Sequence, residues 1–349
     1  MSAATGAFDG FGAEPANSAR RLVDLIFRAR ELGIIVVLAL FVGATATIQP
    51  RFVDGQNIKF VFYNATIYAL LALGETMVVI ARHIDLSNGA VLGLSAYLSA
   101  NLFSEVHGIP IVAVFGVGLG IGVACGLLNG AATTVLRVPS LVITLATMYI
   151  FRAIDVIFVG GGLVVASSLP NAFLAIASSS IGPVPYVTLG VALLIAVGAY
   201  YLRSFRSGRD LYAIGSNPDA ARLAGIAEGR RVFIAFVLSG AISGVAGVLW
   251  AANYGTVDST AGTGYVLLVI ASVVVGGVNI FGGSGTVVGA ALGALLLATI
   301  YQALDVLGIS PFWDDAIAGA LILVAISLDR LITVRLTRAL RKRSPQRAT

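Results

Sequence analysis

The residues able to do chemistry are few, and most sit where apolar residues belong. The chain has two lysines, Lys59 and Lys342, and neither follows a glycine: Ile58 precedes the first and Arg341 the second. A phosphate-cradling P-loop needs Gly-Lys-Ser/Thr, so this chain is not itself a Walker-type ATPase. Two histidines, His83 and His107, and one cysteine, Cys125, give no metal ligand set at a familiar spacing and no internal disulfide. No nucleophile and base stand together in a pattern suited to an intramembrane enzyme. Five charged residues remain inside long apolar stretches: Glu75, Arg82, Asp85, Arg152 and Asp155. A charge at membrane depth is costly and faces a cavity or a partner. Arg152 and Asp155 are three apart, so on a helix they share a face, and the spacing predicts a structural intramembrane pair. Glu75 and Arg82 share a face but lie roughly 10 Å apart along a helix axis, so each reaches toward other helices.

Two interruptions carry the other candidates. Arg82-His83-Ile84-Asp85-Leu86-Ser87-Asn88-Gly89 breaks a nearly continuous apolar run over 61–104. A broken helix exposes backbone N–H and C=O groups, tolerated at depth only beside protein or a wet cavity. Asp85, Ser87 and Asn88 suit the N-cap of the following span, and equally a place beside a translocation path. The second break runs from Gly276 to Gly285 and contains Gly282 and Gly283. A shift of 196 residues lays Gly285 on Gly89, Ile280 on Ile84, Val287 on Val91 and Gly289 on Gly93, a weak repeat. Paired interrupted segments in two halves point to a transport path. Glu75, Asp85, Ser87, Asn88, Gly282, Gly283 and Gly285 are therefore the path candidates.

The elements that must hold these residues follow from composition. Of 349 residues 58% are hydrophobic and 11% charged, with 41 glycines, and the mean hydropathy is +0.96. Soluble domains hold about 45–50% apolar and about 25% charged residues. This is an all-α polytopic transmembrane bundle in which each crossing takes about 20 apolar residues. The apolar stretches fall near 32–48, 61–81, 89–104, 109–135, 141–159, 186–202, 232–252, 264–281, 285–303 and 315–332, ten spans in all. Residues 160–185, broken by Pro170, Pro183 and Pro185, read as an outer loop or re-entrant helix. Residues 1–30 read as an unstructured cytoplasmic tail without a cleaved signal, 31–332 as the membrane domain, and 333–349 as a basic cytoplasmic tail.

Basic residues orient the bundle. Arg20, Arg21, Arg28 and Arg30 precede the first span; Arg203, Arg206, Arg209, Arg222, Arg230 and Arg231 lie between the sixth and seventh; Arg330 at the end of the tenth, then Arg335, Arg338, Arg341, Lys342, Arg343 and Arg347, form the last block. Even numbers of spans separate the three blocks, so all share one face, and both termini are cytoplasmic by the positive-inside rule. The same placement argues against nucleic-acid binding, which the net charge of +5 would otherwise suggest. Glycines recurring along three spans (Gly116, Gly118, Gly120, Gly122 and Gly126; Gly240, Gly244 and Gly247; Gly285, Gly289 and Gly293), many at four-residue spacing, predict close helix crossings.

Loop 204–231 is longer than a connector needs. Asn217 reads as an N-cap, Pro218 as first helical residue, Ala221 as part of a small-residue face, and Gly225 as a left-handed C-terminal residue. So short a helix needs a packing partner.

Five blocks in order resemble the permeases of ABC importers for monosaccharides of the ribose, arabinose and xylose type, over about residues 30–330. They are ALGETMVVIARHIDLSNGAVLGLSA, VPSLVITLATMYIFRAI, GRDLYAIGSNPDAARLAGIAEGRRVFIAFVLSGAISGVAG, GGVNIFGGSGTVVGAALGALL and ISPFWDDAIAGALILVAI. The chain departs from that pattern at Glu75, usually glutamine, at Arg82 and His83, usually glycines, and at Asn88, usually valine. The resemblance implies a homodimer or heterodimer in the bacterial inner membrane, served by a cytoplasmic ABC ATPase and a periplasmic solute-binding protein. It implies no cofactor on this chain, with ATP used by the partner. It makes 204–231 the coupling segment, with Gly208, Arg209, Gly215, Asn217, Pro218, Ala221 and Gly225 as coupling candidates. Permeases for branched-chain amino acids or nucleosides are the nearest competitor, and an ion-coupled secondary transporter the next.

Overall fold

The computed structural model describes the backbone of residues 15–327 apart from 107 and 311, and side chains from residue 31. The expectations for 1–14 and for the basic tail 333–349 lie outside the described residues. The chain is an all-α helical bundle. Its helices are α1 (Pro15–Ile48), α2 (Gly55–Ile80), α3 (Asn88–Glu105), α4 (Ile111–Val135), α5 (Ser140–Val159), α6 (Asn171–Ser178), α7 (Tyr186–Ser204), α8 (Arg206–Ser216), α9 (Pro218–Leu223), α10 (Glu228–Tyr254), α11 (Tyr265–Val275), α12 (Val287–Val306) and α13 (313–327). Residues 15–30, expected as unstructured tail, are helical and continue into the first span.

A helix stands at each of the ten expected spans, and seven are long and apolar enough to cross a membrane. Of the rest, α3 is 18 residues but rich in serine and asparagine, α13 runs to the end of the described residues, and α11 has only 11 residues. At 1.5 Å per residue α11 covers about 16 Å, half of a hydrocarbon core of about 30 Å. The expected outer loop contains α6 and a two-stranded hairpin, β1 (Ser180–Ile181) paired antiparallel with β2 (Val184–Pro185). A bridge between Val164 and Val257 ties it to the loop after α10.

α2 is the central helix. Its most apolar window is 94% buried, against 11% for α1 and 17% for α7. A helix apolar all round belongs inside. It packs on α12, α10, α11 and α7, while α10 also packs along α4 and α3. The glycine stripes set the α4–α10 crossing. A Cβ on Gly126 would stand 2.8 Å from Val237 Cα, and one on Gly244 would stand 2.9 Å from Gly122 Cα. Real Cβ atoms do not come so close, so these backbones touch only because both faces lack side chains.

Candidate functional site

The first break is closed inside the protomer. Ala81 ends α2, Arg82 takes a left-handed φ of 70°, and α3 begins after Ser87, whose hydroxyl does not cap it. That hydroxyl donates instead to Asp85 Oδ1 at 2.6 Å, and Ser87 N–H donates to the same oxygen at 3.0 Å. Ser239 of α10 donates to Asp85 Oδ2 at 3.3 Å. Glu75 of α2 accepts the Asp85 N–H at 3.1 Å and the Asn88 side-chain amide at 3.3 Å. Asn129 of α4 donates to Ser87 Oγ at 2.7 Å and accepts from Thr147 of α5 at 2.7 Å. One network thus joins α2, α3, α4, α5 and α10. Glu75, Asp85, Ser87 and Asn88 are all 0–1% exposed. The structure brings these four path candidates into one buried network. Asn129 and Ser239 were missed, since nothing local in either helix marks them.

The predicted Arg152–Asp155 pair does not form. Arg152 donates to Ala261 O at 2.8 Å and to Thr263 Oγ1 at 2.6 Å, in the segment before α11. Asp155 is fully buried, and neither of its carboxyl oxygens has a hydrogen-bond partner among the described residues. Sharing a face was not enough, because the long guanidinium reaches out to a carbonyl and a hydroxyl that a dipped loop presents. The same loop explains the short α11. A Cβ on Gly89, in the first turn of α3, would stand 2.8 Å from Gly262 O. Segment 255–264 therefore folds back into the bundle, and α11 starts at depth. The sequence reading took 264–281 as an ordinary span; Gly262-Thr263-Gly264 was the signal that could have corrected it.

The second break meets loop 204–231. Gly283 N–H donates to Ile80 O at 2.9 Å. A Cβ on Gly283 would be 2.8 Å from Ser216 Cα, and one on Gly215 would overlap both Ile80 O and Gly283 N. Arg82 Nε donates to Phe281 O at 2.9 Å, and Tyr212 Oη donates to Gly285 O at 3.0 Å. The end of α2, the Gly282–Gly285 turn and the end of α8 therefore form one backbone contact. Gly282, Gly283 and Gly285 all hold positive φ there. The two breaks predicted from sequence touch, and loop 204–231 touches both.

That loop is two helices rather than one. α8 leaves α7 at a tight corner where a Cβ on Gly208 would be 2.6 Å from Leu202 Cα, and Arg209 donates to Ser204 O at 2.6 Å. Asp210, which the sequence reading did not single out, pairs with Arg231 at 2.8 Å and clamps α8 to the start of α10. α9 has its expected termini. Asn217 Oδ1 accepts Ala220 N–H at 3.0 Å, Pro218 is the first helical residue, and Gly225 at φ 77° lets Ile226 N–H reach Ala221 O. Ala221, however, faces inward at 4% exposure, while Leu223 is 91% exposed. The outward-facing side chain of α9 is therefore Leu223 rather than Ala221. Among the described residues no group of three or more His, Cys, Asp or Glu could hold a metal ion.

No solved structure matches this chain significantly. It is 33% identical over 314 residues to the autoinducer 2 import system permease protein LsrC of Enterobacter sp. (strain 638), covering 90% of each chain. The protein of that name from Salmonella typhi is 34% identical over 312 residues, covering 88% of this chain and 87% of the relative. That from Escherichia coli (strain K12 / DH10B) is 31% identical over 325 residues, covering 92% and 93%. These relatives are permease subunits, and with the apolar helices they make this a multi-pass inner-membrane protein. Residues 57–326 match the profile of one family along its length, and the chain belongs to that family, described as branched-chain amino acid transport system / permease component.

Proposed function

We infer that this chain is the membrane-spanning subunit of an ATP-driven importer, passing a monosaccharide or a sugar-like solute such as autoinducer 2 from a periplasmic binding protein into the cytoplasm. The observation that carries the reading is the contact of Gly215 with Ile80 and Gly283. A loop that only set topology would need no packing against the breaks. Here α8 abuts both, and α9 offers an exposed leucine beside it. Movement imposed on α9 by a docked ATPase would pass through α8 to the ends of α2 and α11. In this reading Glu75, Asp85, Ser87 and Asn88 act from behind the path, fixing the shape of the first break, and the Gly282–Gly285 turn is the part that moves. Two copies of the permease, identical or paired with a related chain, enclose the passage, and the arginine-rich face is cytoplasmic.

The test is uptake by the permease with its ATPase and binding protein in proteoliposomes. Labelled D-ribose or autoinducer 2 should enter only with ATP, and an uncoupler should not slow it. The family's description gives branched-chain amino acids a specific claim. Import of L-leucine with neither sugar entering would move the assignment there, and loss of uptake with an uncoupler would sink the ATP-driven mechanism.

A further inference from the structure

On the face opposite the arginines, a cavity of about 500 Å³ opens between the first turns of α2, α6 and the last turn of α10. Its size lies within the range of about 300–1,000 Å³ common for small-molecule sites. Gln56, Lys59, Phe60, Tyr63, Asn253 and Tyr254 line it. Phe60 and Tyr254 are each 47% exposed, so both offer ring surface. Tyr254 is held from behind by stacking on Trp250, with centroids 4.4 Å apart, and by its hydroxyl's bond to Asn64 Oδ1 at 3.1 Å. Lys59 Nζ donates to Ser178 O at 2.7 Å and lies 5.8 Å from the Tyr63 ring centroid. Tyr63 is 7% exposed, and its hydroxyl has no hydrogen-bond partner among the described residues.

The lining selects a ligand class. Two side-chain amides and an ammonium can bond hydroxyl groups, and the aromatic rings suit the C–H face of a saturated ring. No aspartate or glutamate lines the cavity. A free amino acid would bring an ammonium with no carboxylate to meet it, and an unpaired desolvated charge is costly. We propose that this cavity is a first, weak binding site for a neutral polyhydroxylated ring on the outer face of the permease, occupied before the solute enters the passage. The proposal rests on the sugar-import reading.

The chain's single cysteine allows a direct test. In a Cys125→Ser background, Ser178→Cys places one thiol at the rim. Membranes carrying the permease–ATPase complex without binding protein are treated with a membrane-impermeant thiol reagent. D-ribose or autoinducer 2 should slow labelling by about tenfold at about ten times its dissociation constant, by mass action, and L-leucine should not. Ser178→Trp, filling the cavity, should cut uptake by the complete importer while the complex still assembles. Ser167→Trp, on the same face outside the lining, should leave uptake intact. Labelling that no sugar slows, in a complex that still imports that sugar, overturns the site and leaves the import reading standing. Protection seen only when binding protein is added assigns the cavity to that protein's docking and overturns the proposal. Protection by L-leucine, in a complex importing L-leucine and no sugar, overturns both readings.

Discussion

Asp155 and Arg152 show how far residue type and spacing carry. Both are charged, both lie on α5, and a pair at three-residue spacing was the economical expectation. The guanidinium instead bonds Ala261 and Thr263, and the carboxyl group is buried without a hydrogen-bond partner among the described residues. The two arrangements predict different variants. In a salt bridge, neutralising either residue strands the other. As built, Asp155→Asn breaks no bond and removes a buried charge, so complex yield and thermal aggregation midpoint should hold or rise. Arg152→Gln strands the Ala261 carbonyl, at a cost of about 1–3 kcal/mol, and should speed external proteolysis within 255–264. Equal destabilisation by the two substitutions would restore the paired reading. The network around Asp85 was legible only in part. Asp85, Ser87, Asn88 and Glu75 stood out because polar residues interrupt an apolar run. Asn129 lies 42 residues beyond the Ser87 it bonds, a proximity that tertiary packing alone creates.

Among the elements, α9 was legible because its determinants are local: an N-cap side chain, a first-position proline and a left-handed glycine all lie between Asn217 and Gly225. Its orientation was not, because the inner face is set by α8 and α10. That difference changes which residue probes docking. Ala221→Glu would bury a carboxylate against α8 and should lower the amount of folded permease. Leu223→Glu changes a side chain that is 91% exposed, so the permease should accumulate normally while ATPase co-purification and uptake fall together, by about tenfold for a loss near 1.4 kcal/mol at the interface. Normal co-purification with Leu223→Glu would remove α9 from the docking surface. The helix the sequence misled on is α11. Apolar residues continue across 264–281, and hydropathy cannot distinguish a full crossing from a half-helix entered by a folded-back loop. Gly89 decided the matter, since without a side chain it admits the Gly262 carbonyl.

At the scale of the whole molecule, the bundle's orientation rests on charge, while its internal coupling rests on missing side chains. Three arginine-rich blocks at even span separations put α8 and α9 on one face, and the cavity between α2, α6 and α10 on the other. α10 joins the two faces. It is 27 residues long, about 40 Å at 1.5 Å per residue, and it carries Arg231 of the Asp210 clamp at one end and Tyr254 of the cavity at the other. Between them it contributes Ser239 to the buried network and Gly240 and Gly244 to the α4 crossing. A displacement of α8 would therefore be felt along the helix that also floors the outer cavity. This arrangement imports only if the faces lie as the arginines place them. In a Cys125→Ser background, Ser216→Cys at the end of α8 should react with an impermeant thiol reagent only after cells are opened. Thr256→Cys, exposed in the loop after α10, should react in intact cells. Ser216→Cys labelled from outside, with Thr256→Cys protected, would invert the bundle and place the proposed sugar site in the cytoplasm, where no binding protein could deliver to it.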